Sequence, residues 1–292
     1  MLKAMNLVTR REAGENALGG RSRSGRYLFL VPWRGRALFG TWESERPCDG
    51  RATVTPGEIA AFIADLNYAF PSLDLTLADV ALVHRGVVPA RVGPDGHASL
   101  DGGEQVRDHA ADGLDGLISV VGTKYTTARA VAERVTDLVL EKLQHGAVPC
   151  RTAITSLPGG DEGDLVRSAA ETPPGVFKGT PLDTISHLRA AYGSRYRDVV
   201  ESATDRPDWR SPLADDSPVI GAQLAWAVRQ EMAVTLCDAA VRRTPLGAVG
   251  FPGQAATARA AEIVGAELGW SADRKRKEIE AFERFYAPIR SD

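Results

Sequence analysis

The sequence has few cysteines and histidines, and none of them falls at the spacing of a metal site. Its three cysteines lie far apart without a CxxC pair, and its five histidines form no HxH or HxxxH pattern. These spacings argue against a zinc site and against a disulfide scaffold, and they are typical of a protein from a reducing compartment. We therefore predict no metal ligand set.

Long apolar runs and an excess of one charge are also missing. No apolar run approaches the roughly 18–20 residues that a membrane-spanning helix needs. The N-terminal stretch lacks the roughly 7–15-residue apolar centre of a signal peptide. The formal net charge is −3 over 292 residues, which gives no reason to expect nucleic acid as a partner. We expect a cytoplasmic protein.

The chain is organised around residues 116–129, which combine a short apolar run, a polar turn and the start of a helix. Residues 117–121 are apolar and rich in β-branched side chains, so they predict a buried strand. Apolar side chains then recur at spacings of three and four as far as residue 143, which predicts an amphipathic helix.

A strand, a polar turn and a helix start bring free backbone N–H groups and the positive end of a helix dipole together. This arrangement suits a phosphate, a carboxylate or the electron-rich edge of a flavin ring. Lys124 adds a charge, and Thr126 and Thr127 add hydroxyls. The structural alternative is that Thr126 or Thr127 only caps the helix and that Lys124 is a solvated loop residue. On pattern alone this alternative is favoured, because strand–turn–helix units are common.

The first half of the chain reads as strands around one helix. Residues 26–31 and 37–41 predict an antiparallel hairpin, and their near-continuous apolar character predicts that both faces are covered. Thr55, Pro56 and Glu58 predict a capped helix start. Further strands are predicted in residues 79–91 and 105–109. Arg85 and Arg107 can bind an anionic substrate, although a surface arginine is the simpler interpretation of each.

The second half of the chain predicts helices. Residues 147–182 are rich in proline and glycine and have few apolar runs, so they predict a linker. The helices that follow suggest a small bundle, in which Gly193 stops the first helix, Gly269 stops the helix that begins at residue 254, and Ser271 caps the last helix. The longest is predicted over residues 222–243, which contain no proline and no internal glycine. The predicted division is therefore 1–146, 147–182 and 183–292.

Several of these segments, in this order, resemble the FAD-dependent glycerol-3-phosphate dehydrogenases and the related glycerophosphate oxidases. The resemblance covers most of the chain. Residues 122–129, Gly-Thr-Lys-Tyr-Thr-Thr-Ala-Arg, are similar to the family's Gly-Gly-Lys-(apolar)-Thr-Thr-Tyr-Arg. The other matching segments are residues 3–11, 25–41, 107–109, 229–238 and 242–244.

The resemblance implies an α+β protein: a partial FAD-binding and substrate domain with an antiparallel sheet, followed by a C-terminal all-α domain. It implies FAD as cofactor, because the family's turn and helix start lie against the pyrimidine edge of the flavin. Lys124 also resembles a lysine near the substrate, and Arg107 matches the arginine that holds the substrate phosphate. The implied flavin contacts are Gly122, Thr123, Lys124, Tyr125 and Thr126.

Two departures from the family pattern bear on activity. The family has Gly-(apolar)-Arg-Pro-Leu where this chain has residues 86–90, so Val88 replaces an active-site arginine. Arg85 and Arg91 are alternatives, although strand alternation places Arg85 and Val88 on opposite faces. His84 and His109 are candidates for a general base by residue type alone.

The second departure is that the sequence lacks the Gly-x-Gly-x-x-Gly turn that holds the FAD pyrophosphate. The resemblance therefore implies part of a longer or two-chain enzyme, with a complementing N-terminal chain as partner. Its reaction would be hydride transfer from sn-glycerol 3-phosphate, or a similar polyol phosphate, to flavin. The alternative is a non-catalytic remnant or a partner-binding chain. Peripheral contact with a membrane or a quinone, and a different substrate of the same superfamily, are further alternatives.

Overall fold

The computed structural model of the chain describes residues 1–122, 124–160, 177 and 180–287. Within these residues it contains both helices and antiparallel strand pairs, which confirms the predicted α+β class. The α-helices are α1 (Pro56–Ala69), α2 (Ala128–Lys142), α3 (Leu182–Tyr192), α4 (Tyr196–Glu201), α5 (Gly221–Glu231), α6 (Gln254–Leu268) and α7 (Ala272–Tyr286).

The strands form one larger sheet and several two-stranded ladders. Their bounds are β1 (Leu2–Thr9), β2 (Leu18–Arg21), β3 (Tyr27–Trp33), β4 (Arg36–Glu43), β5 (Val80–Val88), β6 (Ala90–Val92), β7 (Ala98–Leu100), β8 (Gln105–Asp108), β9 (Ile118–Val121), β10 (Pro212–Ala214) and β11 (Ser217–Ile220). The larger sheet has the order β2-β3-β4-β1-β5, and the ladders pair β6 with β7, β8 with β9 and β10 with β11. The sequence did not predict the β10–β11 ladder among the helices.

The described chain divides into two compact units, each made of several sequence segments. The first unit contains Met1–Asn6, Thr41–Val54 and His84–Thr155, and the second contains the described residues of Leu7–Gly40, Thr55–Val83 and Ser156–Asp292. The division into 1–146, 147–182 and 183–292 stays a prediction, and residues 161–176 and 178–179 of its linker lie outside the described residues. Among the described residues, no helix combines the length and the apolar character required to cross a bilayer.

The predicted hairpin is present as β3 and β4. The pair Trp33–Arg36 closes a two-residue turn, Arg34–Gly35, and both turn residues have positive φ, 50° and 75°. The expectation that both faces of β3 are covered is wrong. Leu28 and Leu30 are buried, but the alternate side chains Tyr27 and Phe29 are 58% and 52% exposed. The reason is the period of two along a strand, which buries one face against the core and leaves the other only partly covered, for example where Arg21 stacks over the Tyr27 ring.

Helix α1 begins where its capping residues predict. The backbone N–H of Glu58 donates to Thr55 Oγ1 at 3.2 Å, and the Thr55 N–H donates to Glu58 Oε2 at 2.8 Å. This reciprocal pair satisfies two N–H groups that have no partner inside the helix. The helix then buries one face, Ile59, Phe62, Ile63 and Leu66.

The last two helices also end and begin at their predicted residues. Helix α6 stops at Gly269, which adopts the left-handed conformation at φ 64°. Ser271 caps α7, because its side chain accepts the Arg274 N–H at 3.2 Å. Short polar signals at helix ends therefore suffice to place these two elements.

The long helix predicted over residues 222–243 is wrong, because it is broken near its middle. Helix α5 ends at Met232, which is left-handed at φ 60°. Thr235 and Asp238 then start a new segment: Thr235 Oγ1 accepts the Asp238 N–H at 3.0 Å, and Asp238 Oδ2 accepts the Thr235 N–H at 3.0 Å. A π-helix, Asp238–Arg243, follows. The Thr-x-x-Asp spacing of a capping box was present in the sequence and overrode the helical periodicity.

Removing the cap hydroxyl at this break tests its contribution. We expect Thr235→Val to lower the free energy of unfolding by about 1 kcal/mol, because the Asp238 N–H loses its acceptor. Urea unfolding followed by tryptophan fluorescence measures the change. The exposed loop residue Thr53 provides the matched control, and Thr53→Val should stay within about 0.5 kcal/mol of the unsubstituted chain. Equal effects of the two substitutions would contradict the cap.

Candidate functional site

A cavity of about 590 Å³ lies in the first unit, beside the start of α2. It is built largely by the stretch around which the sequence analysis was organised. Its wall comes from β9, from the turn after it, from α2 and from the loop before β8. The lining residues are Gly102, Glu104, Val120, Gly122, Lys124, Tyr125, Thr127, Ala128, Val131, Ala132, Val135 and Thr136.

The apolar wall of the cavity follows from local structure. Val120 stands on β9, and Val131 and Val135 stand one turn apart on α2, so their side chains share one face of that helix. The prediction that β9 is buried is wrong, since Val120 is 47% exposed. Strand β9 pairs only with β8 within the described residues, and the side chains of this two-stranded ladder point out of its plane, where Val120 stays half exposed. The result is an open apolar wall.

Lys124 supplies the cavity's positive charge. In the described part of the chain its ammonium group forms no ion pair. Glu104, the acidic residue nearest to it along the wall, is bound by Arg134. That hydrogen bond holds the pKa of Glu104 below its usual range, and the charge of Lys124 acts in the same direction. Lys124 is therefore a cation without a bound carboxylate, in an otherwise largely apolar wall.

The start of α2 presents backbone donors rather than a side-chain cap. A short 3₁₀ turn, Tyr125–Thr127, leads into the helix. The Thr127 hydroxyl donates to the Lys124 carbonyl at 3.2 Å and does not accept an N–H of the first turn. The interpretation of Thr127 as a simple side-chain cap is therefore not what the geometry shows. The Ala128 N–H already donates to the Tyr125 carbonyl, so the turn offers an electron-rich ligand the positive end of the helix dipole rather than the full set of first-turn N–H groups.

The turn also leaves room for a ligand to approach the backbone. A Cβ on Gly122 would meet only Glu104 Cβ, at 3.8 Å, and the ring of Tyr125 is 97% exposed. Thr126 is exposed as well, and Thr123 lies outside the described residues. A glycine without internal contacts, next to an uncovered aromatic ring, fits the flat edge of a ring system such as a flavin.

Arg107 lies elsewhere in the first unit. On the β8–β9 ladder Val106 pairs with Val120 and Arg107 with Ser119, so Arg107 faces away from the side on which Val120 lines the cavity. Its guanidinium binds both carboxylate oxygens of Asp112, at 3.0 and 2.9 Å. The structure therefore does not bring Arg107 and Lys124 into one cavity.

The two candidate bases have different surroundings. His109 is held at both ring nitrogens, by Asp112 Oδ2 and by Ser119 Oγ, each at 2.9 Å. Burial lowers the pKa of His84, which keeps that imidazole neutral at pH 7.

Of the arginines considered in place of Val88, Arg91 forms an ion pair with Asp101 at 3.1 Å.

The wall of the cavity opposite the turn was not predicted from the sequence. Gly102 and Glu104 belong to a Gly/Asp loop that is remote from Lys124 in sequence, and a Cβ on Gly102 would lie 3.6 Å from Lys124 Cε. No local pattern marks such a contact. The α2 residues of the wall, by contrast, could have been found, because they follow the turn at helical spacing.

Comparisons with known proteins agree with the resemblance. The model of the C-terminal domain of alpha-glycerophosphate oxidase matches residues 150–275. Glycerol-3-phosphate dehydrogenase of Synechocystis sp. is 33% identical over 268 residues, covering 89% of this chain and 47% of that protein. The mitochondrial glycerol-3-phosphate dehydrogenase of Mesocricetus auratus is 28% identical over 271 residues, covering 89% of this chain and 36% of that protein.

A solved structure shows the same similarity. The chain matches glycerol-3-phosphate dehydrogenase from Bacillus halodurans, solved in complex with FAD, with a TM-score of 0.73 and 25% identity. The match covers 99% of this chain and 57% of that one. The chain thus spans about half the length of the relatives that it matches.

Proposed function

This chain belongs to the FAD-dependent glycerol-3-phosphate dehydrogenase and glycerophosphate oxidase family, and we propose that it supplies part of the flavin and substrate sites of such an enzyme. The reaction is the oxidation of sn-glycerol 3-phosphate, or a similar polyol phosphate, to the ketone. The observation that carries this proposal is the cavity at the start of α2, because the family-like turn forms one of its walls.

The residues of the turn fit the pyrimidine edge of a flavin. FAD, when bound, accepts a hydride and gathers negative charge on that edge. The positive end of the α2 dipole and the ammonium group of Lys124 would stabilise such charge. Gly122 lets the ring approach the backbone, and Tyr125 and Thr126 border the same space. Thr123 belongs to the proposed contact set through the resemblance alone.

The substrate part of the proposal rests on Lys124, and Arg107 enters it through the resemblance alone, because Arg107 lies on the other face of the β8–β9 ladder. Lys124 binds the substrate oxygen or its phosphate, because its charge has no carboxylate partner among the described residues. Arg107 presents a guanidinium fork suited to a phosphate. It takes that role by exchanging Asp112 for the phosphate, since a single guanidinium nitrogen, Nη2, now donates to both carboxylate oxygens of Asp112.

Titration with FAD tests the flavin contact. We expect the purified chain to bind FAD saturably, measured by flavin fluorescence. Lys124→Met should weaken binding at least about tenfold, because one charge-assisted contact of roughly 1.5–3 kcal/mol is lost. Lys277→Met is the matched control, since Lys277 is an exposed residue of α7 that pairs with Asp273. A folded chain that does not bind FAD, or equal affinities for both variants, would contradict the proposal.

Anaerobic addition of sn-glycerol 3-phosphate to the FAD-loaded chain tests the substrate part separately. Bleaching of the flavin's blue absorption band is the expected result. Binding of FAD without bleaching would retain the flavin contact and would remove the claim that this chain's residues suffice to position the substrate.

A further inference from the structure

A second cavity, of about 660 Å³, lies within the second unit. This volume falls in the range of small-molecule sites, roughly 300–1,000 Å³. Three arginines line one part of it, and prolines and aromatic rings line another. The arginines are Arg10, Arg34 and Arg36, and the apolar part includes Pro218, Pro245, Phe251, Pro252 and Tyr286.

Backbone carbonyls hold two of the arginines in place. Arg10 donates from one nitrogen to the carbonyls of Ala78 and Val80, at 2.6 and 3.0 Å. Arg36 donates from one nitrogen to the Arg10 carbonyl at 3.1 Å. The other guanidinium nitrogens of both side chains have no protein acceptor within the described chain, so they can bind a ligand without breaking these contacts.

The positive charge of the cavity is not neutralised from within. Asp216 is the only carboxylate among the described lining residues, and it forms no ion pair with any of the three arginines. Three like charges in one cavity repel one another. A bound anion removes this repulsion, and a doubly charged anion removes most of it.

Arg34 occupies a position of the hairpin turn at which arginine is unusual. Two-residue turns with positive φ at both positions favour Asn-Gly or Asp-Gly. Arg34 adopts φ 50° at the first position, which costs an L-residue with a long side chain about 1 kcal/mol or more. Trp33 Nε1 donates to the Ala248 carbonyl at 3.1 Å, which anchors the turn against the segment that carries Phe251.

We propose that this cavity binds a small phosphate monoester whose organic part is apolar or aromatic. Guanidinium forks match the oxygens of a phosphate dianion. The prolines and Phe251 offer an apolar surface for the organic part. The Tyr286 hydroxyl is already bound to the Gly247 carbonyl at 2.8 Å, so that ring contributes its apolar face rather than a donor.

His187 does not line this cavity, but its pKa should change when an anion binds there. Burial, and after it the positive charge of Arg34, lowers the pKa of His187. An anion bound at Arg34 offsets that charge, so the pKa of His187 should rise when the ligand is present. Nuclear magnetic resonance of the imidazole protons measures this change independently of any enzymatic activity.

Calorimetry with phenyl phosphate as the probe tests the proposal on the full chain. Phenyl phosphate should bind more tightly than inorganic phosphate, which lacks the ring, and more tightly than benzoate, which lacks the second charge. Arg34→Asn should weaken its binding about tenfold while the chain stays folded, because asparagine suits the turn. Arg151→Asn is the charge-matched control, since Arg151 is exposed and lines neither cavity.

Four results of the binding measurements would each overturn the proposal. These are no binding of phenyl phosphate at millimolar concentration, unchanged binding by Arg34→Asn, an equal loss in Arg151→Asn, and benzoate binding as tightly as phenyl phosphate. The last result would assign the cavity to carboxylates. An unchanged pKa of His187 in the presence of bound phenyl phosphate would place the ligand elsewhere.

Discussion

Replacing Gly193 by alanine should destabilise the second unit by roughly 3 kcal/mol or more, a large effect for a single methyl group. Gly193 follows α3 and has φ 55° and ψ −133°, a combination that only glycine adopts at low cost. A Cβ at this position would also overlap the carbonyl oxygen of Gly159. That oxygen accepts the Ser194 N–H at 3.1 Å, so it cannot move away without losing a hydrogen bond.

A second glycine, Gly269, has a similar φ but the ordinary left-handed ψ of 35°, so it gives the cost of that conformation without the overlap and without the ψ of −133° found at Gly193. Gly269 has φ 64°, and a Cβ there would meet nothing within 4 Å. Gly269→Ala should therefore cost only the left-handed conformation, about 1–2 kcal/mol. Urea unfolding of both variants, followed by tryptophan fluorescence, gives the comparison. If both glycines cost the same, the contact between Gly159 and Gly193 contributes nothing and the argument fails.

The same pair of glycines shows what the sequence alone can predict. Gly193 was predicted to stop a helix, and α3 does end at Tyr192. The role of Gly159 was not predictable, because its carbonyl accepts the N–H of Ser194, which lies more than thirty residues away. Local signals place helix ends, as Thr55, Gly269 and Ser271 also show. Close packing between remote segments leaves no local pattern.

The incorrect predictions from the sequence have two physical origins. The burial of β3 and β9 was inferred from apolar character, but burial depends on which elements lie above a strand and not on the strand's own residues. The long helix failed for a different reason. Its periodicity was correct, but Thr235 and Asp238 offered the backbone a competing set of hydrogen bonds, and side-chain capping outweighed periodicity.

The candidate site also has one part that the sequence predicts and another part that it does not. The turn, Lys124 and the α2 face are consecutive in sequence, so their juxtaposition follows from a strand–turn–helix unit. Glu104 lines the cavity from the loop before β8. Asp112 binds Arg107 on the face of the β8–β9 ladder that points away from the cavity. The resemblance names Arg107 and Lys124 together, but the period of two along β8 separates them, because it turns Arg107 away from the side on which Val120 lines the cavity.

Gly122 offers the most direct test of FAD binding in the cavity, because no contact within the described chain requires a glycine at this position. It does not have a positive φ, and a Cβ there would make one ordinary contact, with Glu104 Cβ at 3.8 Å. A valine at this position therefore extends into the space beside Lys124 without displacing the backbone. We expect Gly122→Val to change the free energy of unfolding by no more than about 0.5 kcal/mol.

Binding of FAD should respond very differently. Gly122→Val should raise the Kd for FAD at least about tenfold, or about 1.4 kcal/mol, because its methyl groups occupy the surface that the flavin edge approaches. Gly122→Ala should fall between valine and the unsubstituted chain. Gly14→Val is the control, since a Cβ on Gly14 would also meet nothing unfavourable and Gly14 lies outside the cavity. An unchanged Kd for Gly122→Val would show that the flavin does not approach this turn, because a ligand that contacts the backbone at Gly122 cannot share that space with a side chain.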